Sequence, residues 1–229
     1  MKEIFHRTEL LIGQRNIEKL KNSKICVCGV GGVGSYALEA LVRTGIGNVT
    51  IIDYDEVDIT NINRQLIATV DSVNKAKVEV AKERIKSINP DIQVMALKEY
   101  IDVELIQDKI NKTYDYVIDA IDKIDSKIAL IEHCTKNNIP IISSMGMANR
   151  MNPCNIEVMD IYKTTMCPLA KKIRKILKEK RVKKLKTVCS IEEPKKMTTK
   201  ELASIAFVPS TAGLIIASEV IKDIIDGGD

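Results

Sequence analysis

Glycine spacing after an apolar run is the feature of this chain with the clearest chemical meaning. The apolar run 25–28 predicts a buried strand, and four glycines follow it: Gly29, Gly31, Gly32 and Gly34. They allow a tight turn whose backbone N–H groups approach a phosphate where the next helix begins. Asp53, nineteen residues after Gly34, ends a second apolar run and can accept hydrogen bonds from ribose hydroxyls. By itself this pattern predicts a dinucleotide site, most often for NAD.

A second group of polar residues changes the expected ligand. Its members are Asn61, Arg64, Gln65, Lys77 and Asp122. Ligands of a doubly wound sheet bind beyond the carboxyl ends of its strands, so Asp53 and Asp122 are expected at the same edge. The cations Arg64 and Lys77, with a carboxylate suited to Mg²⁺ at Asp122, match a triphosphate and its metal better than the diphosphate of NAD. We therefore expect an ATP site.

Apolar periodicity predicts strands that alternate with helices along most of the chain. Strands are expected near 25–29, 49–52, 92–97, 116–120, 140–144 and 156–160, and helices near 3–20, 33–44, 72–88, 103–111, 125–137, 167–185 and 211–225. This order predicts an α/β fold with a Rossmann-like, doubly wound, mainly parallel sheet, helices on both faces and a C-terminal extension. The polar segment 186–200 is predicted to be a surface loop that holds Cys189.

The length of 229 residues suits a single domain. We divide it into an N-terminal helical arm (1–24), a nucleotide-binding core (25–146) and a C-terminal part (147–229). The last part would contain the basic helix, the cysteine loop and a closing helix.

Composition bounds the class of protein. Hydrophobic residues make up 45% of the chain and charged residues 29%, enough for a folded core. The six cysteines lack paired C-x-x-C spacing, so a structural zinc site is not supported. No segment reaches about 18 uncharged apolar residues, so no membrane span is expected. The start resembles no signal peptide, and we expect a cytoplasmic protein with reduced thiols.

Positive charge is concentrated in one segment. Residues 163–186 hold eleven Lys and Arg and one Glu, whereas the whole chain has a net charge of only +4. Such asymmetry predicts a basic surface for a polyanion, with Lys171, Lys172, Arg174 and Lys175 as candidate nucleic-acid contacts. The alternative is an ordinary solvated helix face, since Ile173, Ile176 and Leu177 form an apolar stripe for packing.

Together the glycine turn and the polar residues that follow it resemble the ubiquitin-activating-type adenylating enzymes. That family includes the adenylyltransferases of molybdopterin and thiamine biosynthesis, and the resemblance spans about residues 5–145. It implies that the glycines, Asp53, Asn61 and Gln65 bind ATP, and that Arg64, Lys77 and Asp122 act in adenylation. It also implies a homodimer, in which Arg7 reaches the phosphates of the neighbouring subunit's ATP.

A second set of stretches resembles the branch of this family that dehydrates threonylcarbamoyladenosine in tRNA. They are 43–47, 60–65, 88–90, 119–122, 160–164 and 168–174. The resemblance implies that ATP activates the threonyl carboxylate at position 37 of tRNA, and that the carbamoyl group then closes a ring and expels AMP. The chain departs from this branch near 180–196, which looks shorter, and at Cys167, where an acidic residue is more usual.

Several alternatives remain open. Relatives that activate the C-terminus of a ubiquitin-like carrier protein for sulfur transfer often carry a zinc site, which this sequence lacks. The resemblance also leaves open a sulfur-acceptor or desulfurase partner and a monovalent cation, Na⁺ or K⁺, with unassigned ligands. Cys189 lies where some relatives place a thioester-forming cysteine, although ring closure needs no thioester. A non-catalytic nucleotide-binding module conflicts with Arg64 and Asp122.

Overall fold

A computed structural model describes residues 4–199 and 201–227. The outer ends of the predicted arm and of the C-terminal part, residues 1–3 and 228–229, lie outside the described residues. The strands are β1 Lys24–Cys28, β2 Asn48–Ile52, β3 Gln93–Leu97, β4 Tyr116–Asp119, β5 Ile141–Ser144, β6 Ile156–Asp160 and β7 Lys186–Ser190. The helices are α1 His6–Ile12, α2 Gln14–Asn22, α3 Gly34–Thr44, α4 Lys77–Ile88, α5 Val103–Lys109, α6 Ile124–Asn137, α7 Pro168–Glu179 and α8 Phe207–Asp226.

The seven described strands form one sheet in the order β3-β2-β1-β4-β5-β7-β6. Every neighbouring pair is parallel except β6 and β7, which run antiparallel. Helices α3, α4 and α8 contribute to the core on one face, and α5, α6 and α7 cover the other. The predicted doubly wound, mainly parallel α/β fold is therefore confirmed.

The central strands are apolar without alternation because both faces of the sheet are covered. In β1, Ile25 and Val27 face the cluster with α3 and α8, whereas Cys26 and Cys28 face the cluster with α5 and α6. All four side chains are fully buried. A parallel sheet with helices on both sides has this pattern. The strand carboxyl ends, where polar residues resume, form the functional edge.

The helix predicted over 211–225 is longer in the structure: α8 begins at Phe207 and has Pro209 in its first turn. Three other predicted helices are broken or shorter. The N-terminal helix is broken at Gly13, whose φ is +83°. The helix predicted from 72 begins at Lys77, because Asn74 takes the left-handed conformation with φ +66°. The basic helix ends at Glu179, and Arg181, with φ +59°, turns the chain towards β7. In each case a left-handed residue interrupts a segment whose apolar periodicity continues.

The predicted surface loop over 186–200 is wrong at its start. Residues 186–190 form β7, which lies between β5 and β6, and Cys189 is 1% exposed. Polar Thr187 is tolerated inside the sheet because its Oγ1 donates a hydrogen bond to the Met159 carbonyl at 2.8 Å. There is thus no cysteine loop, and Cys189 belongs to the core.

Helix α8 closes the face that carries the glycine turn. A Cβ at Gly213 would lie 2.3 Å from the Val33 carbonyl oxygen, so glycine allows α8 to approach the start of α3. This approach brings Pro209, in the first turn of α8, to the side of Gly32. Of the helices in residues 4–199 and 201–227, none is long and apolar enough to cross a membrane.

Candidate active site

A cavity of about 770 Å³ opens at the carboxyl edge of the sheet. Its lining includes most of the predicted site residues: Gly29, Gly31, Gly32, Asp53, Arg64, Gln65, Lys77, Asp122 and Lys172. The segments that follow β1, β2, β4 and β5 all contribute to its walls. The chain order of strands therefore brings residues separated by many positions to one edge.

The glycines of the turn have different neighbours. Gly29 has φ +89°, and a Cβ there would lie 2.8 Å from the Ala120 carbonyl oxygen. A Cβ at Gly34 would lie 1.8 Å from the Gly29 carbonyl oxygen, so Gly34 lets α3 pack against the turn. At Gly31 the nearest atom would be the Gln65 Nε2, 3.8 Å away, and the residue lines the cavity. The space above Gly31 is thus open to a ligand.

Asp53 supports the glycine turn from below. Its Oδ2 accepts a hydrogen bond from the Val30 N–H at 2.8 Å, and its Oδ1 accepts one from the Asp55 N–H at 2.9 Å. Burial raises the pKa of Asp53, although the charge of Lys77 and these backbone N–H groups oppose the rise. Each carboxylate oxygen keeps a further lone pair for a ligand hydroxyl.

Lys77 has a partner that sequence reasoning missed. Its Nζ lies 2.7 Å from the Asp55 Oδ2, and its side chain is 7% exposed. Two of the three ammonium donors remain for other acceptors, and Lys77 lines the cavity. Asp55 holds the ammonium at the cavity wall, and its place two residues after Asp53 was the available signal.

The polar side chains of the segment 61–65 have different roles. Asn61 is buried outside the cavity lining, where its Oδ1 accepts a hydrogen bond from the Asp58 N–H at 3.2 Å in a capping box. Arg64 lines the cavity, and its Nη1 donates to the Thr60 carbonyl at 2.7 Å. The Gln65 Oε1 is buried without a hydrogen-bond partner among the described residues. The structure therefore assigns Asn61 to the turn and leaves Arg64 and Gln65 for a ligand.

Asp122 is exposed at the cavity rim and makes no hydrogen bond or ion pair with the described residues. Across the part of the chain that is described, no group of three or more His, Cys, Asp or Glu side chains could hold a metal ion. A lone carboxylate still suits Mg²⁺, which commonly binds one or two carboxylates and otherwise takes water and phosphate oxygens. The donor set therefore fits a metal that arrives with ATP.

The basic helix reaches the cavity through one residue. Lys172 lines the cavity, whereas Lys171 and Lys175 are exposed on α7. Arg174 differs, because its Nη1 donates to the Thr164 carbonyl at 2.6 Å. It joins α7 to the segment before it, while the lysines are available to a polyanion.

A buried thiol pair lies beside the cavity. Cys167 is the N-cap of α7, and its Sγ accepts a hydrogen bond from the Ala170 N–H at 3.5 Å. Interaction with the Cys189 thiol lowers the pKa of Cys167, although burial opposes this, and the same interaction raises the pKa of Cys189. Arg150, which the sequence did not single out, lines the cavity and also lowers the pKa of Cys167.

Comparisons with known proteins identify the family of this chain. A family model described as the ThiF family matches residues 5–228. The tRNA threonylcarbamoyladenosine dehydratase of Bacillus subtilis (strain 168) is 43% identical over an alignment of 239 positions. The alignment covers 96% of this chain and 94% of that relative.

Two crystal structures of E. coli tRNA N6-threonylcarbamoyladenosine dehydratase, in complex with ATP and with AMP, share the fold with TM-scores of 0.92 and 0.93. Each is 37% identical and is matched over 97% of this chain and 94% of its own. The family predicted from the motifs is thus confirmed, and the chain belongs to the ThiF family.

Proposed function

We propose that this chain catalyses the ATP-dependent dehydration of threonylcarbamoyladenosine at position 37 of tRNA. The proposal is supported by the identity of 43% to a dehydratase of that name over nearly the full length of both chains. The observation that carries it is the single cavity in which the glycine turn, Asp53, Lys77 and Asp122 meet Lys172 of the basic helix. A nucleotide side and a polyanion side thus share one space.

The reaction would proceed through an acyl-adenylate. The threonyl carboxylate attacks the α-phosphorus of ATP, and pyrophosphate leaves. The carbamoyl group then attacks the activated carbonyl carbon and expels AMP, so that the ring closes with net loss of water. Adenylation supplies the leaving group that a free carboxylate lacks.

Residues of this chain would orient the two anions and balance their charge. The backbone of the glycine turn would accommodate the phosphates above Gly31, and Asp53 would accept hydrogen bonds from the ribose. Arg64 and Lys77 would stabilise charge that develops at the α-phosphate. Asp122 would hold Mg²⁺, which shields the charge of pyrophosphate.

We propose further that the working unit is a homodimer with Arg7 acting in trans. Arg7 is exposed on α1, and the neighbouring Leu10 and Leu11 are 74% and 85% exposed. Exposed apolar side chains of this size favour burial against another chain.

The tRNA substrate also implies that the protein acts in the cytoplasm.

A thioester at Cys189 receives no support. The thiol is 1% exposed, and its interaction with Cys167, together with burial, raises its pKa. A nucleophilic cysteine needs an accessible thiolate. The proposed route therefore uses no covalent enzyme intermediate.

One experiment tests the function. The protein is incubated with Mg²⁺ and ATP, with either tRNA that carries threonylcarbamoyladenosine or a ubiquitin-like carrier protein. We expect AMP, and a nucleoside lighter by one water, only in the reaction that contains the tRNA. Adenylation of the carrier, seen as release of pyrophosphate, would support the alternative function, and absence of pyrophosphate with both substrates would exclude adenylation of either.

A further inference from the structure

A buried ion pair lies beneath the cavity, between two of its walls. Asp119 ends β4, and Lys127 lies on α6 eight residues later. Both side chains are 0% exposed, and the Lys127 Nζ is 2.7 Å from the Asp119 Oδ2. Neither residue lines the cavity, so neither is placed to touch a ligand there.

All the hydrogen-bonding capacity of Lys127 is used within the protein. Besides the Asp119 Oδ2, its ammonium donates to the Ser143 Oγ at 3.2 Å and to the Ser144 carbonyl at 3.0 Å. An ammonium has three donors, so none remains for a phosphate. The residue ties the carboxyl end of β5 to the carboxyl end of β4.

Asp119 extends the same connection to the segment that carries Asp122. Its Oδ1 accepts a hydrogen bond from the Ile121 N–H at 3.2 Å, and its Oδ2 accepts one from the Ser143 Oγ at 2.5 Å. Within this segment the Ala120 carbonyl oxygen lies 2.8 Å from the position of a Cβ at Gly29. Displacement of Asp119 would therefore move Asp122 and press on the glycine turn.

Net stability does not account for a pair in this place. Desolvation of two buried charges offsets most of their attraction, and an apolar pair of similar volume is often as stable. The charges instead add directional hydrogen bonds, because the ammonium and the carboxylate each fix the positions of several partners at once. Two of those partners, Ile121 and Ser144, line the cavity themselves, next to Asp122 and Met145, which line it as well.

We propose that Lys127 and Asp119 are positioning residues for adenylation. They hold the metal-binding carboxylate of Asp122 and the wall 144–146 in register with the glycine turn, without touching substrate. This inference rests on the proposed function, because it assigns Asp122 to the Mg²⁺ of ATP.

The test uses three variants of the full chain. Lys127→Met leaves Asp119 as an unpaired buried charge and is expected to lower the melting temperature Tm strongly. Asp119→Asn/Lys127→Met removes both charges and should recover much of this loss. Lys127→Arg keeps the charge, with a larger head group that can donate to the same acceptors. Each is assayed for Tm, for ATP-pyrophosphate exchange with modified tRNA and for dependence on Mg²⁺.

A positioning role predicts that stability and activity separate in the double variant. Its Tm should recover, whereas its exchange kcat should stay about a hundredfold below wild type, since a misplacement of about 1 Å costs that much. The KM for ATP should change little, and half-saturation should require more Mg²⁺. Lys127→Arg should restore part of kcat. If ATP-pyrophosphate exchange recovers together with Tm in the double variant, the proposal is overturned.

Two controls separate instability from misplacement. Val220→Ala opens a small cavity in α8, and Lys186→Met breaks the ion pair of Lys186 with Asp223. Both variants should lower Tm and keep the ATP-pyrophosphate exchange activity of the wild type. Faster amide hydrogen exchange in 120–123 and 144–147 of the double variant, measured without tRNA, tests the geometry alone. Absence of ATP-pyrophosphate exchange in the wild type would contradict the proposed function, but the comparison of amide hydrogen exchange would still test the positioning role. Unchanged amide hydrogen exchange in the double variant would contradict the positioning role.

Discussion

Gly31 and Gly34 belong to one turn, yet different physical causes require glycine at each. At Gly34 the obstacle is the protein itself, because a Cβ would overlap the Gly29 carbonyl oxygen at 1.8 Å. At Gly31 the protein leaves the space free, with the nearest atom 3.8 Å away. A methyl group there would meet only what binds in the cavity.

Alanine substitutions should separate these two causes. Gly31→Ala is expected to keep the Tm of the wild type and to weaken ATP binding at least about tenfold, or roughly 1.4 kcal/mol. Gly34→Ala should lower Tm markedly, because α3 or the turn must shift. Thermal melts and calorimetric titration with ATP measure both effects. Undiminished ATP affinity in Gly31→Ala would show that phosphate does not bind above this residue.

Arg64 and Asp122 should matter for chemistry more than for folding. Both lie at the cavity, and neither side chain is part of the core. Arg64→Ala and Asp122→Ala should each fold normally and lose about 10²–10³-fold in pyrophosphate exchange, the usual effect of removing one preorganised group. Circular dichroism checks the fold. Normal exchange in either variant would contradict the site assignment.

At the scale of elements, α3 and α4 are joined by an ion-pair network centred on Glu39. Arg84 donates from Nε to the Glu39 Oε2 at 2.7 Å, and Arg43 donates to the Oε1 at 2.8 Å. Burial alone would raise the pKa of Glu39, but hydrogen bonds from Arg84 and Arg43 outweigh it and lower the pKa. The network thus stabilises the charged form and fixes the helix that begins at the glycine turn.

Glu39→Gln should therefore destabilise the protein in a pH-dependent way. We expect a loss of about 1–2 kcal/mol in the free energy of unfolding at neutral pH, because Arg84 is partly exposed and screened. Since the folded pKa is lowered, this contribution is present above the ordinary value of 4.5 and is lost as pH falls through the folded pKa. Urea unfolding across this range measures it. Glu83→Gln, an exposed position on α4 beyond its first turn, serves as control and should cost much less at neutral pH.

Helix α7 can be tested as a tRNA surface without disturbing its packing. Lys171, Lys172 and Lys175 are exposed, whereas Arg174 is bonded to Thr164 and should be left intact. Reversal of the three lysines to Glu should weaken tRNA binding and reduce its salt slope by roughly 1 per lost phosphate contact. Equal reversal of Lys109, Lys112 and Lys222, outside the cavity lining, is the matched control. Equal binding by both triple variants would favour the solvated-face interpretation of α7.

For the whole molecule, the central question is whether one site uses two chains. If Arg7 acts in trans, mixing Arg7→Ala with Arg64→Ala protein should restore exchange. One site of the mixed dimer then has an intact Arg64 and receives Arg7 from the other subunit. Each variant alone should stay inactive. Lack of recovery after verified subunit exchange would place Arg7 in cis or outside the reaction.

Much of the fold and of the candidate site was predictable because it depends on local sequence. Apolar runs such as 25–28 and 116–119 are buried on both faces, so their composition alone indicates central strands. Glycine spacing indicated the turn between β1 and α3, since the close approach of Gly34 to the Gly29 carbonyl oxygen is local. Helix ends at Lys77 and Glu179 were missed, because left-handed Asn74 and Arg181 have no strong sequence signal.

The sequence by itself determined the α/β alternation, the glycine turn and the family, and it predicts a set of residues for an adenylating site in place of a generic dinucleotide site. Only the tertiary structure decided which of these side chains are free. It paired Lys77 with Asp55, placed Asn61 in a capping box, buried Cys189 in β7 and joined Asp119 to Lys127. For Lys77 and Cys189 the physical reason is that a partner distant in the chain leaves no local pattern. The partner of Asn61 is only three residues away, so there the backbone conformation of the turn decides. Hydrogen bonds and burial are settled when the strands meet at one edge.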